Sequence, residues 1–235
     1  MPLNQYARAF LHLWFPELCL SCRKALMPGE QAICYYCITS LPRTFYHNQI
    51  NNPMAQRFWG RVPIQQAAAF LYFRRTGITQ HLLHQLKYHG REAIGRQLGI
   101  LYGYDLLSAQ SVFKSIDAIV PIPLHWKRLR ERGYNQCDAF GEGLAETIGC
   151  PFYPDALMRT EERDSQTGYN RYQRWENVSG VFKVAYPEKV NHKHILLIDD
   201  TMTTGATLEA GATALLSCPG LSVSLATIAT AGLGV

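Results

Sequence analysis

The sequence predicts an α/β protein with a central, mainly parallel sheet and a small N-terminal module that carries four cysteines. The clearest observation is residues 195–198, four consecutive aliphatic residues, which are typical of a strand buried on both faces of a parallel sheet. Two adjacent carboxylates follow this strand, at the end where open α/β sheets bind ligands. Near the N-terminus, two C-x₂-C pairs indicate a separate metal-binding module.

The composition is that of a globular protein. Of 235 residues, 47% are hydrophobic and 17% are charged, which suits one domain or a domain with a small attachment. The net charge of +5 is mildly basic and permits anionic partners such as phosphates or nucleic acid. No window approaches the apolar length that a spanning helix needs, and the apolar run at 10–15 is too short for a signal peptide. We therefore expect a cytoplasmic protein.

The two C-x₂-C pairs are separated by eleven residues and supply four thiols: Cys19, Cys22, Cys34 and Cys37. Four thiolates in tetrahedral geometry suit one structural Zn²⁺ ion. A disulfide is the weaker alternative in a cytoplasmic protein, and an iron–sulfur centre is a smaller one. The module is too small to fold by apolar burial, so its folding should be coupled to metal binding. The aromatic residues around it either pack the module or stack on unpaired bases. The remaining cysteines are expected to be packed thiols.

The rest of the chain is predicted to alternate between strands and helices. Polar, turn-prone residues at 48–53 predict a linker, which gives three parts: an N-terminal helix with the cysteine module at 1–45, the linker at 46–66 and the main domain at 67–235. Strands are predicted at 67–73, 116–124, 157–160, 195–198 and 223–230, helices at 78–88, 93–107, 138–148 and 208–216, and an extended arm at 178–184.

The acidic pair, Asp199 and Asp200, is followed by a small, hydroxyl-rich turn: Thr203, Thr204, Gly205, Ala206 and Thr207. Such a turn can direct backbone N–H groups and hydroxyls at a phosphate above a helix N-terminus. Carboxylates suited to sugar hydroxyls or a cation, next to a phosphate site, predict a phosphorylated sugar as ligand. In the alternative interpretation, the aspartates cap a helix and the threonines are ordinary turn residues.

Two further segments are rich in positive charge. Four cations lie within residues 127–132, in a loop predicted directly after the strand at 116–124, where they can bind an anion. A solvated charged surface is the alternative. The segment 161–177 is long, polar and dense in arginine, and loops of this kind are functional lids or disordered segments.

Residues 195–207 resemble the phosphoribosyl-pyrophosphate (PRPP) signature of type I phosphoribosyltransferases. The resemblance implies that Asp199 and Asp200 hold the ribose hydroxyls and that residues 203–207 hold the 5′-phosphate. It also implies that Mg²⁺ is bound with PRPP. The pyrophosphate loop would use Lys127, Arg128 and Arg130, and a flexible loop above it would include Arg163, Gln166 and Arg171.

Nearly the whole chain resembles the ComF family of bacterial competence proteins. The motifs are the cysteine pairs, residues 86–90, 120–124, 130–136, 165–168 and 176–182, and the PRPP signature. The family implies a type I phosphoribosyltransferase-like fold with a zinc finger, a link to natural transformation, and single-stranded DNA and a helicase as partners. This role implies a place at the inner face of the membrane.

Three functional hypotheses follow from this resemblance. The chain transfers ribose 5-phosphate to an unknown acceptor with release of pyrophosphate, or it senses PRPP or binds single strands without catalysis, or it is an inert scaffold for a helicase. No catalytic residue is predicted, because none in these motifs is typical of a general base. The segment that usually recognises the acceptor is not recognisable, and the zinc finger takes its place.

Overall fold

The computed structural model describes residues 16–109, 111–160 and 181–232. The predicted N-terminal helix lies in residues outside these ranges, as do the flexible-loop residues Arg163, Gln166 and Arg171. Within the described ranges, no helix has both the length and the apolar character that crossing a membrane requires.

The described residues form an α/β fold. Its strands, in chain order, are β1 (Ala67–Tyr72), β2 (Ala118–Pro121), β3 (Leu157–Arg159), β4 (Phe182–Val184), β5 (His194–Met202) and β6 (Ser222–Thr230). Its helices are α1 (Tyr35–Thr39), α2 (Pro53–Gln56), α3 (Ile78–Tyr88), α4 (Glu92–Ser108), α5 (Trp126–Arg132), α6 (Gln136–Ile148), α7 (Pro187–Val190) and α8 (Ala206–Leu216). Seven of these fourteen elements coincide with predicted ones to within one or two residues: β1, β3, β6, α3, α4, α6 and α8.

A four-stranded parallel sheet in the order β1–β6–β5–β2 forms the centre of the fold. The side chains of 195–198 are fully buried, as expected for an aliphatic strand covered on both faces. Because all four strands are parallel, their carboxyl ends meet at one edge of the sheet. Strands β3 and β4 pair separately as a two-stranded antiparallel sheet, which agrees with the extended arm predicted there. The predicted α/β fold class is confirmed.

Helices α4 and α6 pack unusually closely, and α6 in turn contacts β2 and β5. Glycines make this approach possible. A Cβ on Gly99 would lie 2.2 Å from the carbonyl oxygen of Phe140, and one on Gly143 would lie 2.2 Å from that of Arg96. No larger residue fits at either position without moving a backbone, so these two glycines set the distance between the helices.

The segment 46–66 is expected from its composition to be a linker, but it packs into the core. Met54 and Phe58 are fully buried. Asn52 is also fully buried, and its amide donates to the carbonyl oxygens of Tyr46 at 3.2 Å and Ala67 at 2.8 Å. A polar residue can be buried in this way because its hydrogen bonds are satisfied. The boundaries at 1–45, 46–66 and 67–235 remain predictions.

Candidate functional site

The four predicted cysteine ligands come together at the N-terminal end of the described chain. The Sγ atoms of Cys19, Cys22, Cys34 and Cys37 all lie within 4.8 Å of one another. Those of Cys22 and Cys34 are 3.7 Å apart. A tetrahedral zinc site with Zn–S bonds of about 2.3 Å has sulfurs about 3.8 Å apart, so a cluster of this size is compatible with one zinc ion.

The local backbone favours the thiolate form of Cys19. Cys19 is fully buried, and its Sγ accepts hydrogen bonds from the backbone N–H groups of Ser21 at 3.4 Å and Cys34 at 3.3 Å. Burial alone would raise the pKa of the Cys19 thiol, but the backbone donors around it outweigh burial and lower that pKa to about 7. A thiolate is the form that binds metal.

The cysteine module is docked on the helices of the main domain. The side-chain amide of Gln97 on α4 accepts from the Ile33 N–H at 2.8 Å and donates to the Ile33 carbonyl at 3.3 Å. The ring Nε2 of His81 on α3 lies 3.2 Å from the carbonyl oxygen of Leu20. These contacts tie the backbone around the cysteines to α3 and α4, so the module is part of the domain surface.

A cleft of about 760 Å³ opens at the carboxyl edge of β2 and β5. It contains six of the residues predicted to bind ligand: Asp199, Asp200, Thr203, Thr207, Lys127 and Arg128. Arg130, also predicted, does not line this cleft. Thr204, Gly205 and Ala206 line an adjoining recess of about 30 Å³ together with Thr203 and Thr207. The acidic pair, the hydroxyl-rich turn and two of the three predicted cations therefore share one continuous site.

The acidic pair lies on β5 itself, because the strand extends beyond the aliphatic run to Met202. Asp199 Oδ1 accepts the backbone N–H of Asp200 at 2.7 Å and lies 3.7 Å from the Sγ of Cys137. Burial and the neighbouring charge of Asp200 raise the pKa of Asp199 to about 7. The Asp200 carboxylate is paired with Lys87, whose Nζ lies 3.0 Å from both of its oxygens. The pair thus contains one aspartate that titrates near neutrality and one that is ion-paired.

The hydroxyl-rich turn forms the N-terminal end of α8. Gly205 precedes the helix with φ of +85°, a left-handed conformation that favours glycine, and the Thr204 hydroxyl accepts the Ala206 N–H at 3.4 Å. Phe58 backs the turn: a Cβ on Gly205 would lie 3.0 Å from its ring. Thr203 and Thr207 are exposed toward the cleft. The unpaired N–H groups and hydroxyls here can bind a phosphate.

The cationic segment predicted as a loop is a short helix, α5, and that prediction is wrong. The ring of His125 caps it by accepting the Lys127 N–H at 3.2 Å, and Gly133 ends it in a left-handed conformation. Among α5 residues none is buried, and Trp126 is 50% exposed. Lys127 and Arg128 reach the cleft from this exposed helix.

The structure adds cleft residues that the sequence motifs did not select as ligands: Lys87, Arg132, Asn135, Gln136, Cys137 and Arg159. Gln136 is fully buried, and both polar atoms of its amide lack a hydrogen-bond partner among the described residues. The hydroxyl of Thr201, also in the cleft wall, is buried and likewise lacks a hydrogen-bond partner among the described residues. Buried polar atoms need a partner, and in the cleft wall a polar ligand can supply one. Cys137 is a packed thiol as expected, but it packs against Asp199.

No protein-family model matches the chain. The chain is 28% identical over 210 residues to the DNA utilization protein YhgH of Escherichia coli K12, a match that covers 83% of this chain and 89% of that protein. It is 26% identical over 207 residues to competence protein F of Haemophilus influenzae, covering 86% of each. The chain is a homologue of these proteins. This homology confirms the resemblance predicted from the motifs.

Solved structures with some similarity are phosphoribosyltransferases. One is a glutamine PRPP amidotransferase from B. subtilis, with a TM-score of 0.44 and 16% identity; the match covers 62% of this chain but only 30% of that one. Another is the adenine phosphoribosyltransferase of Trypanosoma brucei, with a TM-score of 0.37, 13% identity, and coverage of 61% and 67%. At these TM-scores the similarities support no inference about ligand or activity.

Proposed function

We propose that the cleft binds PRPP and that the chain takes part in the use of external DNA. The observation that carries the first part is the convergence of three chemically different groups on one cleft. An acidic pair, a hydroxyl-rich turn at the N-terminus of α8 and the cations of α5 all face the same space. PRPP has three parts that need these groups: a diol, a terminal phosphate and a diphosphate. The homologues named for DNA utilization and competence support the second part.

The residues divide among the three parts of the ligand. Asp199 and Asp200 hold the ribose hydroxyls, because carboxylates accept strong hydrogen bonds from a diol. Residues 203–207 hold the 5′-phosphate at the N-terminus of α8, where N–H groups and the helix dipole favour an anion. Lys127 and Arg128 hold the diphosphate, with Arg130 farther along α5. The orphaned amide of Gln136 gains its hydrogen bonds from the same ligand.

With PRPP bound, the site has the charges needed for transfer of ribose 5-phosphate to an acceptor with release of pyrophosphate. As the bond to the diphosphate breaks, positive charge develops on the sugar ring and negative charge on the leaving group. The carboxylates of the acidic pair stabilise the first and the cations of α5 stabilise the second. If Mg²⁺ were bound together with PRPP, it would add to the neutralisation of the diphosphate. The acceptor is not specified by these residues.

Calorimetric titration of PRPP in the presence of Mg²⁺ tests binding. We expect saturable binding to the wild type and a loss of at least about tenfold in affinity for the variant Asp199→Asn/Asp200→Asn, which loses both carboxylates. The matched control is Glu142→Gln/Glu146→Gln, which removes two exposed carboxylates from α6 and should bind as the wild type does. Equal affinity in all three proteins would exclude the acidic pair from the site.

Transfer is tested separately, by pyrophosphate release from PRPP with a panel of bases and ammonia. We expect release with at least one acceptor, abolished in Asp199→Asn/Asp200→Asn. If PRPP binds but no acceptor supports release, the chain is a PRPP sensor and not a transferase.

A second candidate function is binding of single-stranded DNA along α5. The observation that favours it is the exposed Trp126 beside a row of cations, with Lys127 Nζ 5.4 Å from the centre of its ring. Exposed aromatic rings stack on unpaired bases, and cations neutralise the backbone. Affinity for an oligonucleotide should fall steeply as salt rises, and Trp126→Ala should weaken it by about 1–3 kcal/mol. Binding that is insensitive to salt would contradict this candidate.

A helicase as partner and a cytoplasmic position at the inner face of the membrane belong to the same proposal. They follow from a role in handling incoming single strands. Co-purification of the full chain with a helicase, compared between the wild type and Trp126→Ala, would test the first of these. Loss of the association only in the variant would place the contact at α5.

A further inference from the structure

Lys87 holds a position in the cleft that its place in the sequence does not reveal. It lies in the last turn of α3, 113 residues from its partner Asp200. Its Nζ is 3.0 Å from both oxygens of that carboxylate, and the side chains of the pair are only 23% and 15% exposed. An ion pair this far from solvent is screened less than a surface pair. Lys87 is therefore fixed at the acidic pair.

The charge of Lys87 also reaches the other members of the cluster. It is the cation that lowers the pKa of Asp199, against burial and the charge of Asp200, which raise it. Burial and the nearby carboxylates raise the pKa of the Cys137 thiol, which packs against Asp199, and the charge of Lys87 opposes this rise. Within the described part of the chain, the acidic pair is thus compensated by Lys87 from α3 and not by the cations of α5.

The carboxylate oxygens of the pair are largely engaged before any ligand arrives. Both oxygens of Asp200 accept from Lys87, and Asp199 Oδ1 accepts from the Asp200 N–H at 2.7 Å. A divalent cation such as Mg²⁺ would have to compete with these bonds for oxygen ligands. A lysine ammonium has three N–H donors, of which the two oxygens of Asp200 can accept two. The third remains for an oxygen of a phosphorylated ligand in the same cleft.

We propose that the Lys87 ammonium takes the place of a protein-bound divalent cation between the acidic pair and the diphosphate of PRPP, so that PRPP binds with little dependence on Mg²⁺. This inference rests on the proposed function and specifies which group compensates the negative charge of the acidic pair in that site. Lys87 joins the two halves of the ligand site: it neutralises Asp200 on the ribose side and donates to the diphosphate on the other.

The test is calorimetric titration of PRPP into the full chain in two buffers, one with millimolar Mg²⁺ and one without divalent ions. The second buffer is treated with a chelating resin, because a soluble chelator would compete for zinc. For the wild type, removal of Mg²⁺ should change the affinity by no more than about threefold. For Lys87→Met, which keeps the length of the side chain without its charge, removal of Mg²⁺ should weaken binding by at least about tenfold, and Mg²⁺ should restore most of it.

Lys114→Met is the matched control. Lys114 is exposed and lies in the turn before β2, at the amino edge of the sheet and away from the cleft, so this variant should behave as the wild type does. Thermal unfolding of Lys87→Met establishes that the variant is folded. A wild type that needs Mg²⁺ as strongly as Lys87→Met would overturn the inference while leaving PRPP binding intact. Absence of PRPP binding by the wild type in both buffers would refute the proposed function itself.

Discussion

Replacement of Cys34 by serine should remove zinc from the chain and lower its stability. The Sγ atoms of Cys34 and Cys22 are 3.7 Å apart, within about 0.1 Å of the spacing in a tetrahedral zinc–thiolate site, and all four Sγ atoms lie within 4.8 Å of one another, so Cys34 is placed as one of four ligands. A metal present at 100 times its dissociation constant stabilises the native state by about 2.7 kcal/mol. For a chain of this size, that corresponds to a loss of roughly 5–10 °C in Tm when the metal is removed.

The assay combines zinc content by mass spectrometry with thermal unfolding. The wild type should carry one equivalent of zinc, and a chelator should lower its Tm. Cys34→Ser should carry none, and the chelator should leave its Tm unchanged. Cys218→Ser is the control, because Cys218 is buried at the end of α8 outside the cluster, and this variant should keep its zinc. A wild type whose Tm does not change when zinc is removed, or Cys34→Ser with a full equivalent of zinc, would show that these cysteines do not form a stabilising zinc site.

Three further predictions concern the cleft and its support. Gln136→Met should increase the free energy of unfolding by about 1 kcal/mol, and so raise the Tm, because it removes buried polar atoms that lack partners in the described structure. The same variant should bind PRPP more weakly in calorimetry, and a lower Tm would contradict the prediction. Gly99→Ala should lower the free energy of unfolding in urea by about 1–3 kcal/mol, because its Cβ would lie 2.2 Å from the Phe140 oxygen, and an unchanged midpoint would speak against it. Burial and the charge of Asp200 raise the pKa of Asp199 from 3.8 to about 7, so between these pH values the native state retains a proton that the unfolded state has lost. The free energy of unfolding of the wild type, measured in urea, should therefore fall as pH rises from about 4 to about 7, and Asp199→Asn should lack that fall.

Features of the fold that depend on local pattern were predictable from the sequence. The aliphatic run at 195–198 identified the central strand, and helical spacing identified α3. Helices were also predicted correctly at α4 and α6. The short helix α5 was not predicted, because its run of cations follows a proline-rich turn and its cap is a histidine, which is not a usual capping residue. The burial of Asn52 was also hidden, since it depends on carbonyl oxygens that tertiary packing brings to it.

The candidate site was predictable where its residues are neighbours in sequence. The acidic pair and the turn at 203–207 lie within nine residues, so one motif contained both. Lys87 and Arg159 reach the cleft from distant elements, and their positions depend on how α3 and β3 pack. Lys87 is 113 residues from its partner Asp200, so no local motif contains both.

The most direct test of the account is a parallel titration of PRPP, ribose 5-phosphate and pyrophosphate into the wild type, Arg128→Ala and Thr207→Val. Arg128→Ala should weaken the binding of PRPP and pyrophosphate by at least about tenfold and leave that of ribose 5-phosphate within about twofold. Thr207→Val should weaken the binding of PRPP and ribose 5-phosphate and spare that of pyrophosphate. Such a division would show that α5 and the turn before α8 bind opposite ends of one ligand. Equal losses for all three ligands in both variants, or no binding of PRPP to the wild type, would contradict it.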